Sequence, residues 1–119
     1  MSRALRAVAL VAIATTFAGC ASDGLYSWGS YEESVYRVCE DPEGFDRAAN
    51  IDRLTTIVER AAAKERRVAP GVHAHLGYLH YMNGDADTAI AAFLAEKDAY
   101  PESTVFVDGM VERIQGSSR

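Results

Sequence analysis

The sequence predicts an all-α protein, a small domain of about five helices that follows an N-terminal export signal. Twenty of the 119 residues are alanine and only three are proline, a composition that favours helix. Apolar residues recur at spacings of three and four, and no stretch alternates with period two. With 49% hydrophobic and 24% charged residues, the chain has the composition of one folded domain rather than of a disordered segment.

Residues 1–19 are predicted to be a lipoprotein signal peptide. Arg3 and Arg6 form a short basic region, and eleven uncharged residues, 7–17, follow it. This run is too short to cross a bilayer, because a spanning helix takes about 20 apolar residues. A signal peptide is the favoured interpretation of residues 1–19, and a buried N-terminal helix is the alternative. Residues 17–20 read Phe-Ala-Gly-Cys, which resembles the lipobox of bacterial lipoproteins, with phenylalanine where leucine is commoner. The resemblance implies cleavage before Cys20 and a diacylglycerol on its thiol.

The mature chain would consist of lipidated Cys20 with a tether (20–30), a helical domain (31–115) and a tail (116–119). It keeps ten basic against seventeen acidic residues, a net charge of −7. A nucleic-acid binder needs a basic surface, so this charge excludes that class. Ala21 follows the cysteine, where an aspartate would resemble an inner-membrane retention signal. By that analogy we expect the periplasmic face of the outer membrane.

Helix boundaries follow from caps and breaks in the sequence. Pro42 ends the first helix, and Gly84 supplies a left-handed C-cap between the third and fourth helices. Asp85 is an N-cap for the fourth helix, and Pro101 ends it. The predicted helices span 30–41, 45–67, 71–83, 86–99 and 103–115.

Cys39 would be the one thiol left after lipidation, so no intramolecular disulfide is expected. It follows Val35 and Val38 in an apolar stretch, which predicts a buried and unreactive thiol. The alternative is an intermolecular disulfide in an oxidising periplasm.

The segment 70–101 resembles a tetratricopeptide repeat, a helical hairpin with a period of 34 residues. Gly77 and Ala89 are small where the two helices of such a repeat cross closely. Two positions depart from the pattern, because His80 replaces a tyrosine and Glu96 replaces an alanine. We expect Glu96 to weaken packing against a following repeat. The residues that match the repeat are Leu76, Gly77, Gly84, Ala89, Phe93 and Pro101.

A longer pattern resembles a whole family. The lipobox is followed by LYSWGSYE at 25–32, PGVHAHLGY at 70–78 and PES at 101–103. Together these motifs resemble the bacterial lipoprotein family called domain of unknown function 4810. The resemblance implies a small outer-membrane lipoprotein with no established activity. Such proteins are often encoded beside a lipoprotein similar to the curli secretion channel and a further small lipoprotein.

Three histidines, His73, His75 and His80, suggest an alternative function as a small periplasmic ligand or metal binder. Their spacings of two and seven residues do not put them together on one turn of helix, so we expect no metal and no cofactor. The sequence has no glycine-rich phosphate loop, serine elbow or metalloprotease motif. Helix capping explains Asp85 and Asp87, so we expect no enzyme.

The resemblance to a tetratricopeptide repeat implies a concave groove on its first helix. We expect this groove to bind another envelope lipoprotein, which would make the protein a non-catalytic adaptor without a small-molecule substrate. The alternative is that these side chains pack within the chain itself. For Trp28 and Tyr31 we favour a lid on the core over a role as interface anchors. The candidate partner-binding residues are Ala74, Tyr78, Tyr81, Met82, Trp28 and Tyr31.

Overall fold

The computed structural model describes residues 24–117, and in this part of the chain the all-α prediction is confirmed. A short 3-10 helix, Pro101–Ser103, precedes the last α-helix. The signal peptide and Cys20 lie outside the described residues. The five helices are α1 (Tyr31–Glu40), α2 (Arg47–Ala63), α3 (Val72–Met82), α4 (Ala86–Ala99) and α5 (Thr104–Ser117).

Side-chain caps set two of the helix starts. The Asp46 carboxylate accepts a hydrogen bond from the Ala49 amide (3.0 Å), and the Asp85 carboxylate accepts one from the Thr88 amide (3.1 Å). Gly84 adopts the predicted left-handed conformation, with φ of 83°. Ser30 does not cap α1 with its side chain; its carbonyl accepts a bond from the Ser34 hydroxyl instead (3.2 Å).

Two helix ends differ from the prediction. α2 stops at Ala63 rather than near residue 67, because Glu65 takes a left-handed conformation with φ of 51°. The Arg66 amide then donates back to the Ala61 carbonyl (2.9 Å), a closure that usually has glycine at the left-handed position. α5 continues to Ser117, so the predicted tail begins two residues too early.

The core consists of two clusters joined by the crossing of α3 and α4. A Cβ at Gly77 would lie 3.0 Å from the Ala89 carbonyl oxygen and 3.0 Å from Cδ2 of Phe93, so the predicted close crossing is confirmed. One cluster joins α2 to α3, and the other joins α4 to α5. Their buried members are Leu54, Ile57, Ala69, Val72, Leu76 and Leu79 in the first, and Ala89, Phe93, Val107 and Ile114 in the second.

The segment before α1 is attached to the domain. The Ser27 amide donates to the Arg67 carbonyl (2.8 Å), and the Ala69 amide donates to the Ser27 carbonyl (3.3 Å). Tyr26 adds an edge-to-face contact with Tyr100, at 6.1 Å between ring centroids. The predicted tether, 20–30, is therefore held against the folded domain from Tyr26 onward.

Candidate functional site

A row of partly exposed side chains crosses from the segment before α1 onto α3. The ring of Trp28 stacks on Tyr31 (6.3 Å between centroids), and Tyr31 meets the ring of His75 edge-on (5.7 Å). Tyr78 and Met82 continue the row along α3, three and seven residues after His75. Trp28, Tyr78 and Met82 are 45%, 46% and 47% exposed. We call Trp28, Tyr31, His75, Tyr78 and Met82 the aromatic stripe.

α1 extends this surface on one side. α3 runs antiparallel to α2, because the Arg47 guanidinium at the start of α2 donates to the Met82 carbonyl at the end of α3 (3.1 Å). On α1, Val35 and Cys39 follow Tyr31 at four-residue steps and share its side of the helix. A shallow depression of about 380 Å³ lies there, lined by Trp28, Tyr31, Glu32, Val35, Tyr36 and Cys39. We call it the α1 depression.

Cys39 is exposed, so the prediction of a buried thiol is wrong. The sequence placed Val35 and Val38 in the same apolar stretch, and the structure shows that this stretch is divided between two sides of α1. Val38 is half-buried toward the domain, whereas Val35 is exposed beside Cys39. Ser34 is the fully covered residue of the helix.

The structure separates the six predicted partner-binding residues into two groups. Trp28, Tyr31, Tyr78 and Met82 lie on the aromatic stripe. Ala74 and Tyr81 pack instead against the cluster formed by α4 and α5. Position 81 is rotated by about 60° from position 78 around a helix of 3.6 residues per turn, which turns Tyr81 toward α4.

Glu96 has a role that the sequence reasoning missed. It is 3% exposed, and its two carboxylate oxygens accept bonds from the Gly71 amide (2.7 Å) and the Ala74 amide (3.3 Å). These amides belong to the first turn of α3, which has no side-chain cap of its own. The departure from alanine at this position therefore supplies a cap for α3, while Phe93 of the same helix packs in one cluster with Val107 of α5.

The carboxylate of Glu96 also influences its neighbours. Burial raises the pKa of the Tyr31 hydroxyl, and the negative charge of Glu96 raises it further. Burial lowers the pKa of His73, and the charge of Glu96 opposes that change. Burial alone lowers the pKa of His75. At the start of α3, burial is therefore the main influence on the pKa values of these three groups, and the charge of Glu96 modifies those of Tyr31 and His73.

The three histidines have different neighbours. His73 lies near Glu96, His75 contacts the Tyr31 ring, and Nδ1 of His80 lies 3.6 Å from the carboxylate of Asp85. Within residues 24–117, no group of three or more histidine, cysteine or acidic side chains is arranged to hold a metal ion.

We expect the domain to lose stability as the pH falls below about 6.5, the ordinary pKa of histidine. His73 and His75 have lowered pKa values in the folded state, so the unfolded chain binds more protons in this range and gains from acidification. Melting temperatures measured from pH 7.5 to about pH 5.5 will test this. The double variant His73→Gln, His75→Gln should show a flatter profile; an equally steep profile would assign the effect to other groups.

Together, the fold and this surface define a small all-helical domain with a solvent-facing aromatic stripe. No curated protein sequence and no solved structure matches the chain. The family model described as Domain of unknown function (DUF4810) matches residues 25–110, a range that contains the stripe, α1 to α4 and half of α5. The chain belongs to this family. Among the described helices, none has the length and apolar character needed to span a bilayer.

Proposed function

We propose that the protein is a lipid-anchored, non-catalytic adaptor at the periplasmic face of a bacterial outer membrane. It would bind another envelope lipoprotein through the aromatic stripe. The observation that carries this proposal is the alignment of Trp28, Tyr78 and Met82, each nearly half exposed, along one continuous surface. Scattered apolar side chains are ordinary on a protein surface, whereas contiguous ones mark interaction sites.

The residue types on the stripe support protein binding. Tyrosine and tryptophan give large contact areas with little loss of side-chain entropy, and methionine adapts to irregular partner surfaces. We propose that α3 and α4 form a single tetratricopeptide-like unit, a proposal supported by the close crossing at Gly77. In a tetratricopeptide-like arrangement, α1 and α3 would border the concave groove. The aromatic stripe lies on these two helices and the segment just before α1, which supports the proposal.

Comparison of two tyrosines on α3 tests the groove. Tyr78→Ala should reduce recovery of the partner lipoprotein from native membranes by tenfold or more, since loss of about 2 kcal/mol at a hot spot exceeds a tenfold change. Its melting temperature should stay nearly unchanged, because Tyr78 projects into solvent. Tyr81→Ala should lower the melting temperature, because Tyr81 packs on the α4–α5 cluster, and the folded fraction should still bind.

The reverse result would contradict the assignment. If Tyr81→Ala lost the partner at unchanged stability, the binding face would be the side of α3 that turns toward α4. If Tyr78→Ala and Trp28→Ala both retained full recovery, the aromatic stripe would not be the groove.

Lipid anchoring is proposed from the lipobox and is tested at Cys20. Cys20→Ser should move the protein from the detergent phase to the aqueous phase in a phase-partition assay, because the thiol is the acyl acceptor. Cys39→Ser is the matched control and should partition like the unchanged protein, since Cys39 lies on the folded domain. A Cys20→Ser protein that still enters the detergent phase completely would exclude this mode of anchoring.

The anchor limits where a partner can lie. Tyr26 is attached to the domain and is six residues after Cys20, which spans at most about 21 Å at roughly 3.5 Å per residue. The domain would therefore be held close to the inner leaflet. Another lipoprotein in the same leaflet would satisfy this geometry.

A further inference from the structure

A cavity of about 480 Å³ lies between α1 and the start of α2. It is separate from the α1 depression, which lies on another side of the same helix. Asn50 of α2 lines it and is 6% exposed. The Asn50 side-chain amide donates to the Asp46 carbonyl (2.9 Å), which identifies the other terminal atom as the oxygen, Oδ1. Within the described part of the chain, Oδ1 is buried and accepts no hydrogen bond. A buried acceptor without a donor is costly, and a bound donor would remove that cost.

A second buried polar atom lies one turn further along α2. Nη1 of Arg53, which also lines the cavity, has no acceptor among the described residues. The lining of the cavity therefore includes one residue with an unpaired acceptor, Asn50, and one with an unpaired donor, Arg53. Small rotations of these two side chains would expose both atoms to a bound peptide, whose basic side chain can donate and whose main-chain carbonyl can accept.

The charge around the cavity favours a cation. The Glu33 carboxylate is paired with Arg37 at 2.5 Å, and this hydrogen bond lowers the pKa of Glu33. Glu40, Asp41 and Asp46 add three carboxylates to the lining, so the lining residues carry four acidic and two basic groups. Over residues 24–46 the chain has six acidic residues and one basic residue, whereas 47–117 has ten and eight.

Tyr36 connects the cavity to the α1 depression, because its side chain lines both. A segment lying across α1 can therefore reach the polar cavity and the apolar surface around Trp28 and Val35 at once. An anionic lipid surface would be repelled by the excess of carboxylates in this region. These observations favour a protein segment over a bilayer as the occupant.

We propose that α1 binds a cationic amphipathic segment of the partner protein. Its arginine or lysine enters the cavity over Asn50, and its large apolar side chain occupies the α1 depression. This inference rests on the proposed adaptor function and specifies the chemistry of the partner segment that the adaptor recognises.

Trp28 allows a direct binding assay, because it is the single tryptophan of the chain and lines the α1 depression. The assay uses the Cys20→Ser chain, which retains every residue of the described domain. The probe is a tryptophan-free peptide of about twelve leucine and arginine residues, enough for about three helical turns. Two matched peptides replace all arginines with glutamate or all leucines with serine. We expect saturable change of Trp28 fluorescence with the leucine–arginine peptide and none with the other two.

Variants then locate the bound peptide. Asn50→Leu keeps the number and branching of the side-chain heavy atoms but removes Oδ1 together with the amide that donates to Asp46, and Glu40→Gln removes one carboxylate of the cavity lining. Each should raise the dissociation constant about tenfold, and higher salt should weaken binding further. Glu112→Gln changes an exposed carboxylate on α5 and should leave the dissociation constant unchanged. Equal binding of the glutamate peptide, no peptide binding, or an unaffected Asn50→Leu variant would overturn the proposal.

Two further measurements separate this inference from the adaptor function and from membrane binding. A partner lipoprotein that co-purifies with the native protein, but not with Tyr78→Ala, would support the adaptor even if no peptide bound. In that case only the cationic occupant is overturned. Quenching of Trp28 by brominated phospholipids, in the lipidated protein bound to anionic vesicles, would place the bilayer on α1 and would also overturn it.

Discussion

Gly77→Leu is expected to lower the melting temperature of the domain by about 12–24 °C, which corresponds to about 3 kcal/mol in a domain of about 100 residues. The first added carbon would already lie 3.0 Å from the Ala89 carbonyl oxygen and 3.0 Å from Cδ2 of Phe93. The carbonyl belongs to the backbone of α4, and Phe93 is completely buried, so neither has room to move aside. α3 and α4 would have to separate, which would open the joint between the two core clusters.

The chain contains its own control for this experiment. Gly109 lies in the interior of α5, and a Cβ there would meet nothing within 4 Å. Gly109→Ala should therefore stabilise the domain by about 0.5–1 kcal/mol, the usual gain of alanine over glycine within a helix. Gly77→Ala should destabilise it, since its Cβ has the close contacts. If both alanine variants changed the melting temperature in the same direction, the close crossing of α3 and α4 would be wrong.

The α3–α4 hairpin was predictable from the sequence because its signals are local. Gly84 and Asp85 mark the turn, and the observed helices start and end within one residue of the predicted bounds. The small residue at 77 predicted the crossing, since a close approach of two helices needs one. The end of α2 was not predictable in this way. Glu65 takes a left-handed conformation there, and glycine is the residue that usually marks such a position in a sequence.

The candidate site was predictable only in part. The predicted repeat placed Tyr78 and Tyr81 together in one groove. The two side chains point to different sides of α3, and α4 covers the side that carries Tyr81. The exposure of Cys39 likewise depends on how α1 lies on α2, and the local sequence does not encode that orientation. Contacts between distant segments have no signal in the local sequence. The backbone hydrogen bonds of Ser27 with Arg67 and Ala69 are examples.

Glu96 is the clearest example of such a non-local contact. The predicted resemblance to a tetratricopeptide repeat implies alanine at this position, and only the folded structure shows that the Glu96 carboxylate reaches the start of α3. Gly71, the residue before α3, has no side chain and a left-handed φ of 88°, so it cannot cap the helix itself. The first-turn amides of α3 are electropositive, and a carboxylate there gains from both hydrogen bonding and the helix dipole.

Glu96→Ala should therefore destabilise the domain by about 3 kcal/mol, because it leaves two amides without an acceptor and a void beneath α3. Glu96→Gln retains the shape and one acceptor oxygen, so its loss should be about 1 kcal/mol. Asp85→Ala is the matched control, since it removes an exposed cap from α4 and should have a smaller effect than Glu96→Ala. Amide hydrogen exchange provides the site-specific measurement: the Gly71 and Ala74 amides should lose protection in Glu96→Ala and not in Asp85→Ala. If their protection were unchanged, the buried carboxylate would not be the cap of α3, and its burial would need another explanation.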